Sequence, residues 1–258
     1  FKQKTAYEIY QCDWSSDVCS SDLTANSGVE QLYPIATANK FYPEGWKKHP
    51  AYIKQKIYPG NPESSLTVDA PTIKKCPGFI DLFSNGFIIP SWSDFGVEIN
   101  SRGEFLHHTA GELKIEKHAS WQIWDGLYSD YGHIKIGSPW VLMEKTGVQF
   151  SWHQCDWHKT DVIDKFKIVS GCIDYKYQHE TNINMFIKKR NKVEFKAGEP
   201  LVHLIPISEK QVEIKTHLVS VDEILKMVPR PTTCANRYNF FKKSMESETK
   251  KCPFGFGK

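Results

Sequence analysis

Apolar and polar residues alternate with a period of two through most of the middle of the chain. Phe95, Val97 and Ile99 fall on one side of a strand, and Leu113 with Ile115, Ile134 with Ile136, and Val141 with Met143 repeat the pattern. Val148, Phe150 and Trp152 share a face, which leaves Gln149, Ser151 and His153 opposite. Further strands are expected over 166–169, 182–187, 193–196, 201–207 and 211–219. Turn signals separate them: Gly103, Gly111, Gly132, Gly137 before Pro139, Gly147 and Gly198. About ten short strands joined by tight turns predict an antiparallel β-sandwich or barrel, a β-clip-like arrangement included. Strands do not alternate with long helices, which argues against a parallel α/β sheet.

The pattern changes at both ends of this region. Pro77 to Ser84 fits a short helix, with proline in its first turn and Asn85 before Gly86 as a left-handed stop. Before it, residues 24–70 are punctuated by Pro34, Pro43, Pro50, Pro59 and Pro62. Aromatic residues (Tyr33, Phe41, Tyr42, Trp46, Tyr52, Tyr58) stand between those prolines. This predicts an extended arm that packs on the chain's own core, with short helical turns around Glu44–Lys48 and Ala51–Lys56. After the strands, Ser220 and Glu223 form a capping box and Pro229 closes the helix it starts. A second helix is expected from about Thr233 to Thr249, where Cys234, Tyr238, Phe241 and Met245 make one apolar stripe. The expected class is therefore mainly β with helical ends, an α+β arrangement. It divides into a tract 1–23, an arm 24–70, a β-rich core domain 71–219, and two C-terminal helices with a loose tail over 220–258.

The tract 1–23 stands apart. Asp13 to Leu23, and Lys2 to Ile9 before it, resemble the translation of an indexed sequencing adapter, codon for codon and in one frame. Ile9 to Cys12 then spans a short variable index. A tract of this origin carries no functional information, Thr24 is not the biological start, and native residues are expected to precede it. The whole chain has 33 basic and 30 acidic residues. Setting aside Lys2 and Lys4 against Glu8, Asp13, Asp17 and Asp22 leaves 31 and 26, a mildly basic remainder of about +5.

That charge is spread along the sequence and gives no strong nucleic-acid signal. Its one dense run, Lys188 to Lys192, reads as a solvated hairpin turn. No stretch of eighteen apolar residues is present, so no membrane span is expected. Of seven cysteines, Cys76, Cys155, Cys172, Cys234 and Cys252 lie beyond the tract, odd in number, scattered, and without a paired C-x-x-C. This argues against a disulfide scaffold or structural zinc, and for a reducing compartment.

Two stretches could carry chemistry. His153, Cys155 and His158 put imidazole, thiol and imidazole within six residues, with Asp156 between them, a set that could bind a transition metal if a loop brought it together. Cys155 as a nucleophile would need an oriented base. Otherwise no cofactor is expected, the alternative being a divalent metal ion. Trp121, Trp124, Trp140 and Trp157 could build an aromatic platform, or belong to the core.

The second stretch is Gly171, Ile173, Asp174 and Tyr177, followed by a strand and then Gly198 with Leu201. It resembles the central motif of trimeric dUTPases and dCTP deaminases, G-x-I-D-x-x-Y with a later Gly turn. The resemblance covers about 35 residues and implies that Asp174 would position the attacking water and Tyr177 would stack on the deoxyribose. The chain departs from that family after Gly198, where Glu199 and Pro200 replace an Asp and a basic residue. It also has no Arg-Ser-Ser/Gly phosphate segment and no glycine-rich phosphate arm.

A broader resemblance rests on Thr72 to Pro90, Phe41 to Lys48, and Phe195 to Leu201. These look like an uncharacterised protein family of large tailed phages and marine metagenomes, over most of 33–207. The resemblance implies a phage origin, in the cytoplasm of an infected host or on the virion, and no particular activity. The expected function is a β-rich binding or structural protein that contacts a protein partner or itself. The alternative is a divergent dUTPase- or dCTP-deaminase-like nucleotide hydrolase, or a metal-dependent enzyme.

Overall fold

The computed structural model describes residues 18–24, 32–60, 65–110, 113–119, 129–220, 222 and 242–243. In chain order the strands begin with β1 (Val18–Thr24), β2 (Ala36–Thr37), β3 (Tyr52–Ile57), β4 (Leu66–Pro71), β5 (Phe87–Pro90) and β6 (Phe95–Ile99). They continue with β7 (Phe105–Thr109), β8 (Lys114–Lys117), β9 (Tyr131–Gly137), β10 (Val141–Glu144), β11 (Gln149–Gln154) and β12 (Phe166–Ile168). The last are β13 (Gly171–Asp174), β14 (Ile183–Lys188), β15 (Asn191–Phe195), β16 (Pro200–Ile207) and β17 (Val212–Leu218). Two short helices, α1 (Glu44–Lys48) and α2 (Pro77–Asn85), precede β3 and β5. The chain is mainly β and its ladders are antiparallel, except that β1 runs parallel to β17.

Period-two patterning explains the core. In β9, Ile134 and Ile136 are buried while their neighbours reach the surface, and they lie opposite Met185 and Ile183 of β14. β6 and β15 pair Phe95 with Phe195 and Val97 with Val193, and Phe195 meets Phe166 of β12 edge-on with ring centres 5.2 Å apart. These side chains join Trp140, Phe150, Trp152, Leu204 and others in one cluster between sheets. Burying an aliphatic or aromatic side chain of this kind stabilises a fold by about 1.5–3 kcal/mol. The sandwich therefore rests on that cluster.

One sheet is covered on both faces. In the order β13-β11-β16-β5-β2, Phe87 and Ile89 of β5 enter the main cluster, while Ile88 turns the other way. There it meets Phe79 and Phe83 of α2, with Phe41, Tyr42 and Trp46 packed over them. The aromatic residues of 33–46 thus pack on the chain's own body. All four residues of β5 are buried as a result.

Several sequence expectations are corrected. Residues 51–56 are not a helical turn. Tyr52–Ile57 is a strand, because the aromatic Tyr52 and the β-branched Ile53 and Ile57 favour a pleated ribbon once 66–71 is there to pair with it. Gly86 is not a left-handed stop, since its φ is −99°. Lys188 to Lys192 is not a hairpin turn: β14 pairs with β9 and β15 with β6, so the chain crosses between sheets there. Arg190 makes that crossing with φ 60°, its N–H donating to the Ile99 carbonyl at 2.6 Å.

Val18–Thr24, all but its last residue in the adapter-like tract, forms main-chain ladders with β10 and β17. Such pairing needs an extended backbone and an open strand edge, not a particular sequence. The expected C-terminal helices and tail lie outside the described residues, apart from helical positions at Asp222, Lys242 and Lys243, as do Trp121 and Trp124. Trp140 is core, whereas Trp157 is 47 % exposed. Cys76, Cys155 and Cys172 are free thiols. Among the described residues no helix is long and apolar enough to cross a membrane.

Candidate functional site

Strand register brings together side chains that the sequence scatters. His153 of β11 lies opposite His203 of β16, and His203 lies opposite Ile88 of β5. Cross-strand partners share a face, so this row faces α2 and the next row, Trp152, Leu204 and Phe87, faces the main core. Phe83 of α2 lies over the row, its ring centre 5.7 Å from that of His203 and 6.5 Å from that of His158. Tyr42 closes the outside, stacked on Trp46 at 3.9 Å and on Phe83 at 4.7 Å.

His203 is the polar centre of this layer, and sequence reasoning missed it. It is 4 % exposed, and its Nε2 has no hydrogen-bond partner among the described residues. A Cβ placed on Gly86 would stand 2.2 Å from that Nε2. Glycine is therefore required at 86 by close approach and not by backbone conformation. Burial, and after it the neighbouring His153 and His158, pushes the His203 imidazole down to about 4. The only sequence signal was a histidine in the middle of an otherwise apolar strand.

The three residues proposed as a metal set have separate attachments. His153 Nε2 is 2.7 Å from the Ser151 hydroxyl oxygen. His158 Nε2 is 2.7 Å from the Phe41 carbonyl, a bond that ties the loop after β11 to the aromatic arm. Its Nδ1 has no partner among the described residues, and burial lowers its proton affinity. Cys155 is buried in the α2 layer, and burial, with the Asp156 carboxylate second, pushes its thiol up. A thiol so placed stays protonated at neutral pH and is neither a nucleophile nor a ready metal ligand. Among the described residues no group of three or more His, Cys, Asp or Glu side chains is gathered closely enough to hold a metal ion.

Asp174 and Tyr177 sit on the other edge of the same sheet. Asp174 ends β13, opposite Gln149, and starts a turn. Its Oδ1 accepts from the Lys176 N–H at 3.0 Å, and its carbonyl accepts from the N–H groups of Tyr177 and Gln178 at 3.1 and 3.0 Å. This is the local side-chain-to-backbone bonding by which aspartate organises a turn. The fully buried ring of the run is Tyr175, whose hydroxyl accepts from Trp152 Nε1 at 2.9 Å. Tyr177 is half-buried, with the ammonium groups of Lys176 and Lys242 at 5.5 and 5.9 Å from its ring centre.

No family model and no curated protein matches the chain. Among solved structures, a point mutant of the dUTPase from phage phi11 of S. aureus matches at 12 % identity, over 40 % of this chain and 95 % of that one, with a TM-score of 0.23. A superposition at that level carries no argument about activity.

The geometry separates two kinds of surface. Beneath α2 lies a buried aromatic layer that takes in imidazoles and a thiol, suited to holding elements together. The β3–β4 ribbon is the opposite: it pairs with no other strand among the described residues, and most of its side chains are exposed.

Proposed function

We propose that the chain is a phage-encoded, β-rich binding or structural protein that makes its contacts through the β3–β4 ribbon. The observation that carries this reading is an apolar row on one ribbon face. Ile53, Ile57 and Leu66 are 46, 38 and 55 % exposed, and alternation and register place the half-buried Val68 and Ala70 beside them, with Gln55 the one polar side chain of that face. The other four sheets each bury apolar side chains in the core. A lone two-stranded hairpin is marginal in water, and a contiguous exposed apolar face marks a contact site. The ribbon is held at its base, where Thr72 donates its N–H to the Ala51 carbonyl at 3.1 Å and its hydroxyl to that of Pro50 at 2.6 Å. Its apolar face suits a protein partner or a second copy of the chain.

Replacing residues 53–70 by a short Gly-Ser link between the paired ends Tyr52 and Pro71 tests whether the ribbon is an appendage. Chemical denaturation is expected to change by no more than about 1 kcal/mol, because the ribbon lies outside both apolar clusters. Loss of the cooperative transition would make the ribbon part of the fold and remove this reading.

A second reading, a divergent dUTPase- or dCTP-deaminase-like hydrolase using a divalent metal ion, is favoured by one observation. Two ammonium groups flank the Tyr177 ring, three residues from Asp174. Cationic donors are what a triphosphate requires. Against it, the Asp174 carboxylate is engaged with its own turn.

A further inference from the structure

The ribbon has a second face, and its chemistry is different. Residues 44–75 hold six lysines against three carboxylates, a net +3 that equals the formal net charge of the whole chain. Along the sequence this looks diffuse, since Lys47 and Lys48 are separated from Lys74 and Lys75 by more than twenty residues. The fold joins them. Lys74 Nζ donates to the Lys47 carbonyl at 3.0 Å and stands 5.1 Å from the Trp46 ring centre. Lys75 Nζ is 5.5 Å from the Tyr52 ring centre, at the first residue of the ribbon.

From that base the alternation of β3 carries Tyr52, Lys54 and Lys56 along one face, with Asp69 opposite Lys54 in register. Successive residues on a face are roughly 7 Å apart. The two lysines are exposed, and Tyr52 and Tyr58, at either end of the strand, are 52 and 59 % exposed. Exposed rings spaced by ammonium groups on a projecting backbone match what a single nucleic-acid strand offers. Its phosphates need cations, and its unpaired bases stack on aromatic faces without regard to sequence. A neutral or purely apolar partner would have no use for the lysines.

We propose that the Tyr52–Pro71 ribbon and the lysines at its base form an arm that binds single-stranded nucleic acid along its basic face. The phosphates lie along Lys54 and Lys56, and bases stack on Tyr52 and Tyr58. This goes beyond the contact role of the apolar face and rests only on the ribbon being an appendage.

The test is fluorescence anisotropy of a labelled oligothymidylate of about twenty nucleotides with the full chain, from roughly 50 to 300 mM salt. Binding is expected to weaken with salt, the log–log slope being about −3 if four lysines contact phosphate. Lys54→Gln with Lys56→Gln is expected to lower affinity at least about tenfold at the lowest salt and to reduce the slope by about 1.4. Tyr52→Ala is expected to weaken binding about tenfold with the slope unchanged.

No binding at the lowest salt, binding indifferent to the lysine pair, or equal affinity for a duplex of the same length would each overturn the proposal. Lysine-dependent binding of poly-glutamate in preference to the oligonucleotide would also overturn it and point to an acidic protein. If the ribbon-excised chain fails to fold, the contact reading falls. If that chain folds and still binds the oligonucleotide as before, only this proposal falls.

Discussion

Glu144→Ala is expected to cost the chain about 3–5 kcal/mol of stability, an effect at the upper end of what single substitutions produce. Glu144 ends β10 and is 2 % exposed. Its carboxylate accepts from the backbone N–H of Thr146 at 2.6 Å, from that of Val148 at 3.0 Å, and from the N–H of Gly147 and the Thr146 hydroxyl. These bonds close the turn that leads from β10 into β11, with Gly147 at φ 90°. A hydrogen bond to a charged group is worth about 1.5–3 kcal/mol. Alanine would remove all of these bonds together, and the exposed Thr146 and Gly147 would turn their donors to water. For a chain of this size the loss corresponds to a melting temperature lower by roughly 10 °C. Glu144→Gln keeps the shape but turns an amide toward N–H donors, so an intermediate loss is expected. A loss below about 1 kcal/mol in denaturant titration would mean that the turn closes without the carboxylate.

The second large effect is acid destabilisation through His203. Its imidazole is held down to about 4 in the fold, from an ordinary 6.5. The folded chain therefore refuses a proton that the unfolded chain accepts. The contribution is complete above about pH 6.5 and is lost as pH falls toward about 4, amounting to about 3 kcal/mol over the interval. Burial moves His158 and His133 in the same direction, which steepens the same slope. The carboxylates held low by their partners, Asp94 by the Ala197 N–H and Glu116 by Lys114, act at lower pH. Denaturant midpoints measured between about pH 7 and 4.5 should thus isolate the histidines. Stability is expected to fall steadily across that range, and His203→Leu to flatten much of the slope. An unchanged slope in the leucine variant would place the acid sensitivity elsewhere.

Strands of the body that bury one face were legible, as in Ile134 and Ile136 or Phe95, Val97 and Ile99, whereas β5, buried on both faces, was not. The ribbon was not. Prolines at 43, 50, 59 and 62 read as an irregular arm, and β3 is recognisable only through its partner 66–71. Gly86 carried a real signal with the wrong cause, because the group it admits, the His203 imidazole, comes from more than a hundred residues away. Glu144 stands at a strand end, and nothing local marks a carboxylate that turns back on its own loop. Asp174 and Tyr177 were visible as a motif. What the sequence could not supply was that the aspartate organises its own turn while Tyr175, between them, fills the core.

The most direct measurement is turnover of dUTP and dCTP by the full chain with magnesium, alongside its thermal melt with the same ligands. A ligand at roughly a hundredfold excess over its Kd would stabilise the fold by about 2.7 kcal/mol, so binding would be plain even without turnover. A binding protein that does no chemistry at Asp174 gives no pyrophosphate, no ammonia and no shift. Turnover, or a metal-dependent shift, that disappears in Asp174→Ala would contradict this account and establish the hydrolase. That variant gives up one turn hydrogen bond, about 1 kcal/mol, and should remain folded.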